Sequence, residues 1–309
     1  MSTVPANTNA RSSAASRGLP AEKKQPLHES LVSVISGGFV TAIVLFIAFL
    51  WSIPTFGLFI SSLRPADLIK STGWWAGLVP PWNFTLENYQ QVLQAQGLGQ
   101  AFLNSLIIAI PGTILPVLVA AFAAYAFAWM EFPGRNWLFI LIVALLVIPV
   151  QTTLIPILNI FTSVGLTGSY VAIWLAHTAY GLPFAVYLLR NFFGALPKDL
   201  FESAHIDGAS HMRVFFNILL PLSVPSLASL VIFQFMWVWN DLLVALIFLG
   251  GSPQIAPITV TIANLVNSYG TNYQVLTSAA FISMALPLVI FFSLQRYFVR
   301  GMLAGSVKG

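Results

Sequence analysis

From residue 137 to residue 189 this chain contains no Asp, Glu, Lys or Arg. A helix needs ~20 apolar residues to cross the hydrocarbon of a bilayer, so this run holds two crossings. Gly165-Leu-Thr-Gly168 supplies the turn between them. Apolar stretches at 31–63, 101–130, 226–249 and 278–295 are each long enough for one more. Only helices and closed barrels satisfy their backbone groups inside lipid, and runs of this length are helical. The expectation is therefore an all-α membrane protein of six transmembrane helices. The composition agrees: 58% of the 309 residues are hydrophobic and mean hydropathy is +0.85, against roughly 45–50% apolar in soluble domains.

Charge then sets the topology. With the N-terminus in the cytoplasm, all of the 13 Lys and Arg residues except Arg64 and Lys70 fall on the cytoplasmic side, as the positive-inside rule requires. Both termini are then cytoplasmic. Residues 1–30 hold Arg11, Arg17, Lys23 and Lys24 among Ser, Ala, Pro and Asn and read as a disordered tail, because they bury too little apolar surface to offset ordering. Residues 31–97 comprise the first helix and a long external loop, 98–297 a five-helix core with a cytoplasmic loop at about 191–221, and 298–309 a cytoplasmic tail. The first apolar run is too long for the core of a cleavable signal. The net charge of +4 is not gathered into one face or stripe, so no nucleic-acid partner is expected; membrane lipid is. Cysteine is absent, which excludes disulfides and thiolate metal sites.

Within the spans, Pro54, Pro111, Pro116, Pro149, Pro156, Pro183 and Pro287 each remove a helix hydrogen bond and favour a kink. In the external loop, Trp74, Trp75 and Trp82 admit two readings: rings at the lipid headgroups, where Trp is enriched, or packing within the loop.

The loop near 191–221 is a charged island in a chain with only 7% charged residues. Pro197-Lys198-Asp199 stops one helix and starts another, with Asp199 as cap and Glu202 reaching back in a variant of the capping box. Leu200, Phe201 and Ala204 share a face, and Gly208 either ends this helix or lets a partner's backbone approach closely. Ser210 caps a second one that runs through Leu220, after which Pro221 and Pro225 lead back into the membrane. On the residues alone the island is equally a docking lever for a soluble partner or an amphipathic helix resting in the headgroups.

The pattern Glu202-Ser203-Ala204, then Gly208, then Ile218 and Leu220-Pro221 resembles the EAA loop of inner-membrane subunits of ATP-binding-cassette importers, with Ser203 where Ala is usual. Asp207 and Ala209 fit the sugar-importer version. Pro81-Trp-Asn-Phe-Thr-Leu-Glu-Asn-Tyr89, Asn104-Ser-Leu, Phe132-Pro-Gly-Arg135, Ile148-Pro-Val-Gln151 and Trp239-Asn-Asp241 resemble that sugar-importer group, and the final ten residues are similar to the smaller membrane subunit of maltose-type importers. The resemblance covers roughly residues 80–309. It implies a type I importer (MetI-like) fold in the cytoplasmic (inner) membrane and a coupling helix around Glu202 seated on an ABC ATPase dimer. It also implies a second, related permease subunit in a heterodimer and an extracytoplasmic sugar-binding protein. ATP and Mg would be used by the ATPase, and this chain would bind no cofactor. The solute implied is a di- or oligosaccharide of the α-glucoside, maltose or trehalose kind.

No catalytic residue is expected. There is no Gly-Lys dipeptide for a phosphate-binding loop and no Gly-x-Ser-x-Gly elbow. His28, His177, His205 and His211 lack metal-ligand spacing; His205 and His211 read as solvated loop residues and His177 as a helix contact. Asp241 is the one acid within a span, where insertion costs ~2.5–3.5 kcal/mol. Gln234, Trp237 and Asp241 lie at i, i+3 and i+7, beside Asn240. That face either lines the solute pathway, together with Gln151 and Asn159 of span three, or serves assembly through a pairing of Asp241 with a helix end or another subunit. An ion-coupled secondary transporter and a non-transporting membrane scaffold are the rival readings of the whole chain.

Overall fold

The computed structural model describes residues 27–94, 97–268 and 273–306. Arg11, Arg17, Lys23, Lys24 and Lys308 lie outside them. Every regular element among the described residues is helical. α1 (Leu27–Ser62) begins earlier than the expected 31 and contains Pro54. The chain divides into two contact units at Thr55 and Phe56. The first unit contains the earlier part of α1, whose side chains from Phe39 to Trp51 are exposed and, Thr41 apart, apolar, a surface suited to hydrocarbon.

The second unit holds the rest. After α1 come α2 (Ala66–Ser71), a 3-10 turn (Trp74–Leu78) and α3 (Glu87–Gln94), so the loop that follows the first span contains short helices. α4 (Leu98–Trp129) is the central element. It presents Ala101, Ser105, Ala109, Gly112, Ala120 and Ala124 to the interior, and small residues let helix backbones approach closely in membranes. At Gly112 a Cβ would stand 3.2 Å from Val238 and 3.5 Å from His177; three helices converge on that missing side chain.

The region expected to hold two crossings contains three helices. α5 (Arg135–Ala144) continues as a 3-10 turn (Leu145–Val147), and α6 (Val150–Ser163) starts after Pro149, bent by 104° from what precedes it. Span three is thus a broken pair rather than a kinked helix, because Pro149 is followed by a new start instead of being absorbed within a turn. The expected turn is present: Gly165 and Gly168 both have positive φ. Ser169 then caps α7 (Tyr170–Gly194) by accepting from the N–H of Ala172 at 3.2 Å.

Beyond α7 lie α8 (Lys198–Ile206), α9 (His211–Val214), a π-helical turn (Phe215–Leu219) and α10 (Leu220–Leu222). α11 (Val224–Trp239) departs from them at 77°, and α12 (Leu243–Leu249), α13 (Ile258–Ser268) and α14 (Tyr273–Ser306) follow. Span five therefore does not run unbroken from 226 to 249. Among the described residues, four helices are long and apolar enough to cross a membrane, or up to six if each bent pair is one span.

Two apolar clusters organise the second unit. One joins the start of α4 to α7, α12 and α13 through Leu98, Ile108, Ile173, Trp239, Phe248 and Ile258. The other joins the end of α4 to α7, α8 and α9 through Ala120, Ala124, Leu189, Phe193, Phe201 and Val214.

Candidate functional site

At the α8 end of the bundle, the sequence makes a compact helix–turn–helix. Asp199 does not cap it: the helix starts one residue earlier, with Pro197 at the N-cap and no side-chain cap bond. Extended backbone at Pro197, followed by Lys198 already in helix, leaves Asp199 in the first turn, where its charge still favours the helix dipole. Its carbonyl accepts from the hydroxyl of Ser203. The stop is as the sequence implies. Gly208 has φ +79°, and Ala209 N–H donates to the carbonyl of Ala204 at 2.9 Å, the 6→1 bond of a Schellman motif. Ser210 then caps α9, accepting from Arg213 N–H at 3.4 Å.

Aromatic side chains fix this unit to the end of α4, Phe201 and Phe215 foremost. Phe201 is buried and stacks on Trp129 at the end of α4, with ring centroids 3.9 Å apart and planes at 19°. Burial of such a ring contributes ~1.5–3 kcal/mol. Leu200, expected on the same face, is exposed; at one residue's spacing on a helix the two side chains diverge by about 100°. Glu202, Ser203, Asp207 and Gly208 are exposed, whereas Ala204, Ala209, Ile218 and Leu220 pack partly against the second cluster and Pro221 is exposed. The island thus has an anchored inner face and a free polar outer face. His205 and His211 are exposed but not solvated singly: their rings lie 5.1 Å apart, and His211 Nδ1 is 3.0 Å from the Tyr125 hydroxyl of α4.

The polar residues of span five are arranged differently from the expected single face. α11 ends at Trp239, so Asp241 stands in the break before α12 and not on the helix carrying Gln234 and Trp237. Its carboxylate accepts from the N–H groups of Val244 at 3.2 Å and Ala245 at 2.9 Å, and it lies 3.8 Å from Nε2 of the fully buried His177. Backbone N–H groups at a helix start supply the compensation that an acid in an apolar layer requires. Of the two readings of Asp241, the helix-end pairing is the geometry seen. Asn240 is exposed and donates to the carbonyl of Met236 at 2.7 Å.

Gln234 is buried. Its Nε2 donates to the Gly112 carbonyl at 3.2 Å, and its amide fills the space beside Gly181, where a Cβ would come within 2.6 Å of it. Trp237 lies edge-on to His177 at 5.2 Å. Gln234 and Trp237 do share a groove of about 250 Å³, with Tyr180, Gly181, Phe184 and Phe233 as its other lining residues. Gln151 is exposed in the first turn of α6, as is Asn159 farther along that helix. Thr153, two residues after Gln151, donates to the Tyr180 hydroxyl at 3.1 Å.

A family model described as "Binding-protein-dependent transport system inner membrane component" matches residues 117–304, which include the whole of this helix–turn–helix and the groove. The chain belongs to that family. It is accordingly a multi-pass inner-membrane permease subunit of an ABC importer and not an enzyme. The permease is 59% identical over 268 residues to the osmoprotective compounds uptake permease protein GgtD of Synechocystis sp., covering 86% of this chain and 90% of the relative. It is 54% identical over 235 residues to the alpha-glucoside transport system permease protein AglG of Rhizobium meliloti, covering 74% of this chain and 62% of that one. Its fold is like that of a chain in the crystal structure of a bacterial ABC transporter involved in alginate import, with TM-score 0.71 at 20% identity, covering 86% of the permease and 98% of that chain.

Sequence reasoning about the permease missed Tyr180, Phe184 and Phe233 as groove residues. Tyr180 and Phe184 are four apart on α7 beside a glycine, a spacing that puts both on one helix face and was available as a signal. Trp129 carried no such sign, because its partner Phe201 is brought to it only by the fold.

Proposed function

We propose that this permease serves an ATP-driven importer of an α-glucoside, a di- or oligosaccharide of the maltose or trehalose kind. The observation that carries the coupling half of this reading is the two-faced α8 unit. Phe201 locks it to α4 while Glu202, Ser203 and Asp207 are exposed toward a soluble partner. In this reading both termini and α8 are cytoplasmic, and α8 is seated on an ABC ATPase dimer that uses ATP and Mg. A second, related permease subunit and an extracytoplasmic sugar-binding protein complete the assembly. Displacement of α8 is transmitted through the Phe201–Trp129 stack to α4, and through α9 and the π turn to the 77° bend that opens α11. Such rigid elements joined at breaks are suited to alternating access.

The solute half rests on the likeness to the alpha-glucoside permease AglG and on the groove. Aromatic rings of Tyr180, Phe184, Phe233 and Trp237 offer flat apolar faces, and the Gln234 amide, with Nε2 already engaged by Gly112, offers Oε1 as an acceptor. Small-molecule sites commonly occupy ~300–1,000 Å³, so a groove of about 250 Å³ suits one ring of a sugar, with the partner permease supplying the opposite wall. Asn240 and Gln151 are contacts farther along the path, and Asp241 acts by holding α12.

The test is uptake of labelled maltose and trehalose into proteoliposomes holding the full assembly. Glu202→Lys should abolish ATP-driven uptake while the permease still assembles with its sibling. Uptake that persists without the ATPase would replace this reading with an ion-coupled transporter. ATPase capture with no ATP-dependent uptake of any glucoside would leave a scaffold.

A further inference from the structure

The segment between α2 and α3 presents an apolar ribbon that neither the coupling unit nor the groove uses. Between Lys70 and Glu87 the sequence carries no charged residue. Trp75, Leu78, Val79, Trp82, Phe84 and Leu86 project from it with 47% to 65% of their surface exposed. Exposed apolar patches on a folded surface mark interaction sites.

The depth of the ribbon identifies what it meets. Trp74 is the inward member of the tryptophan pair: a Cβ on Gly57 would come within 2.9 Å of its ring, and Phe56 lies edge-on to it at 6.2 Å. One turn later, a Cβ on Gly77 would stand 2.8 Å from Ile60 and 3.0 Å from Arg64. The 3-10 turn therefore lies alongside the last turns of α1 rather than beyond its end. Gly57 precedes the end of that helix by about 7–8 Å, at 1.5 Å per residue. The chain is held there from both sides. Arg64, itself buried, donates to the Gly73 carbonyl at 2.7 Å and to Thr72 Oγ1 at 2.6 Å. On the return, Thr85 N–H donates to the Leu63 carbonyl at 2.7 Å, and Asn88 Nδ2 donates to the carbonyls of Ser62 and Arg64 at 2.9 and 2.8 Å.

We propose that residues 74–86 form an interfacial anchor. The segment folds back beside the membrane-spanning helix and seats Trp75, Leu78 and Trp82 in the boundary between phospholipid headgroups and acyl chains. Interfacial segments sink ~5–10 Å into that boundary, a length comparable to the distance by which the turn reaches back from the end of α1, and Trp is enriched there. A protein partner would be expected to meet a polar rim around its apolar centre; this ribbon is uncharged along its whole length. The anchor fixes the height of the outer end of α1, and its Arg64 clasp makes the loop and the helix end one unit.

The cysteine-free chain permits a direct measurement. Single cysteines replacing Trp75, Leu78, Trp82 and, as a water-facing control, Lys70 are spin-labelled in the full assembly. The samples are reconstituted in phosphatidylcholine–phosphatidylglycerol nanodiscs, and collision rates with oxygen and with a water-soluble nickel chelate are compared. The expected result is a several-fold excess of oxygen over nickel accessibility at 75, 78 and 82, with the reverse at 70. Labels at 75, 78 and 82 that are as nickel-accessible as that at 70 would overturn the proposal. So would labels shielded from both reagents, as in a protein interface, or shielded only when an extracytoplasmic binding protein is added. Assembly and the spectrum of the label at 70 report separately on folding. The result does not depend on which solute is carried.

Discussion

The α8 unit and the break around Asp241 are both places where polar groups interrupt an apolar helical protein, yet they are held in different ways. The α8 unit is stabilised by bonds between near neighbours: Ala209 to Ala204, Ser203 to Asp199 and Arg213 to Ser210. Its distant ring contacts, Phe201 on Trp129, His211 with Tyr125 and Phe215 on Phe122, all reach α4. The region around Asp241 is tied by long-range contacts. Gln234 reaches Gly112 across 122 residues, His177 of α7 approaches Asp241, and Thr259 donates to the Asp241 carbonyl at 2.6 Å. A locally built unit whose ring contacts run to one helix end can move with that helix as a body. A site tied to three helices moves only if they do. The difference suits a lever at one end and a packed, gated interior at the other.

The comparison breaks most sharply at the lever's attachment. Phe201→Ala removes a buried ring, and losses of ~3–5 kcal/mol are usual for such changes. We expect the α8 unit to detach, seen as rapid hydrogen exchange confined to residues 198–222, with ATP-driven uptake reduced at least tenfold. Exchange that instead rose throughout α4 and α7 would show that the unit is not separable. Next in size is Gly181→Ala. Its Cβ would sit 2.6 Å from the Gln234 amide, and overpacking of this kind destabilises by ~1–3 kcal/mol. The melting temperature should fall, and Gln234→Ala in the same chain should restore most of it, giving a double-mutant coupling that an isolated α7 defect would lack.

Gly208→Ala places an L side chain at φ +79°, at a cost of ~1–2 kcal/mol. Being confined to the lever, it should slow ATP-driven transport with little change in the melting temperature of the bundle; Gly208→Asn, which tolerates left-handed backbone better, should be milder. The smallest effect expected is Asp241→Ala, which removes the acceptor for two N–H groups of α12, a loss of about 1 kcal/mol. Hydrogen exchange at Val244 and Ala245 should quicken. Unchanged exchange there would mean that the carboxylate does not hold the start of α12.

The sequence legibly contained the number of apolar segments, the turn at Gly165 and Gly168, the stop at Gly208 and the cap at Ser210. Each depends on groups within a few residues of one another, so local pattern and local structure coincide. The cap expected at Asp199 stands two residues earlier, at Pro197, and Leu200 lies one residue from the buried Phe201; a helix converts such small shifts of register into different directions. The continuous face expected for Gln234, Trp237 and Asp241 failed for a larger reason: span five ends at Trp239, and nothing within the apolar run 226–249 announces the break except the polar pair at 240 and 241.

What the chain determined by its sequence alone is its solvent and its local punctuation, because charge-free length and capping chemistry act over one or two turns. Tertiary structure decided which side chains meet across helices: Phe201 with Trp129, Gln234 with Gly112 and Gly181, His177 with Asp241, and Trp74 with Gly57. Those contacts join residues separated by many helical turns, and in an all-apolar environment periodicity alone leaves the rotation and depth of each helix open. Close packing against small residues fixed them here.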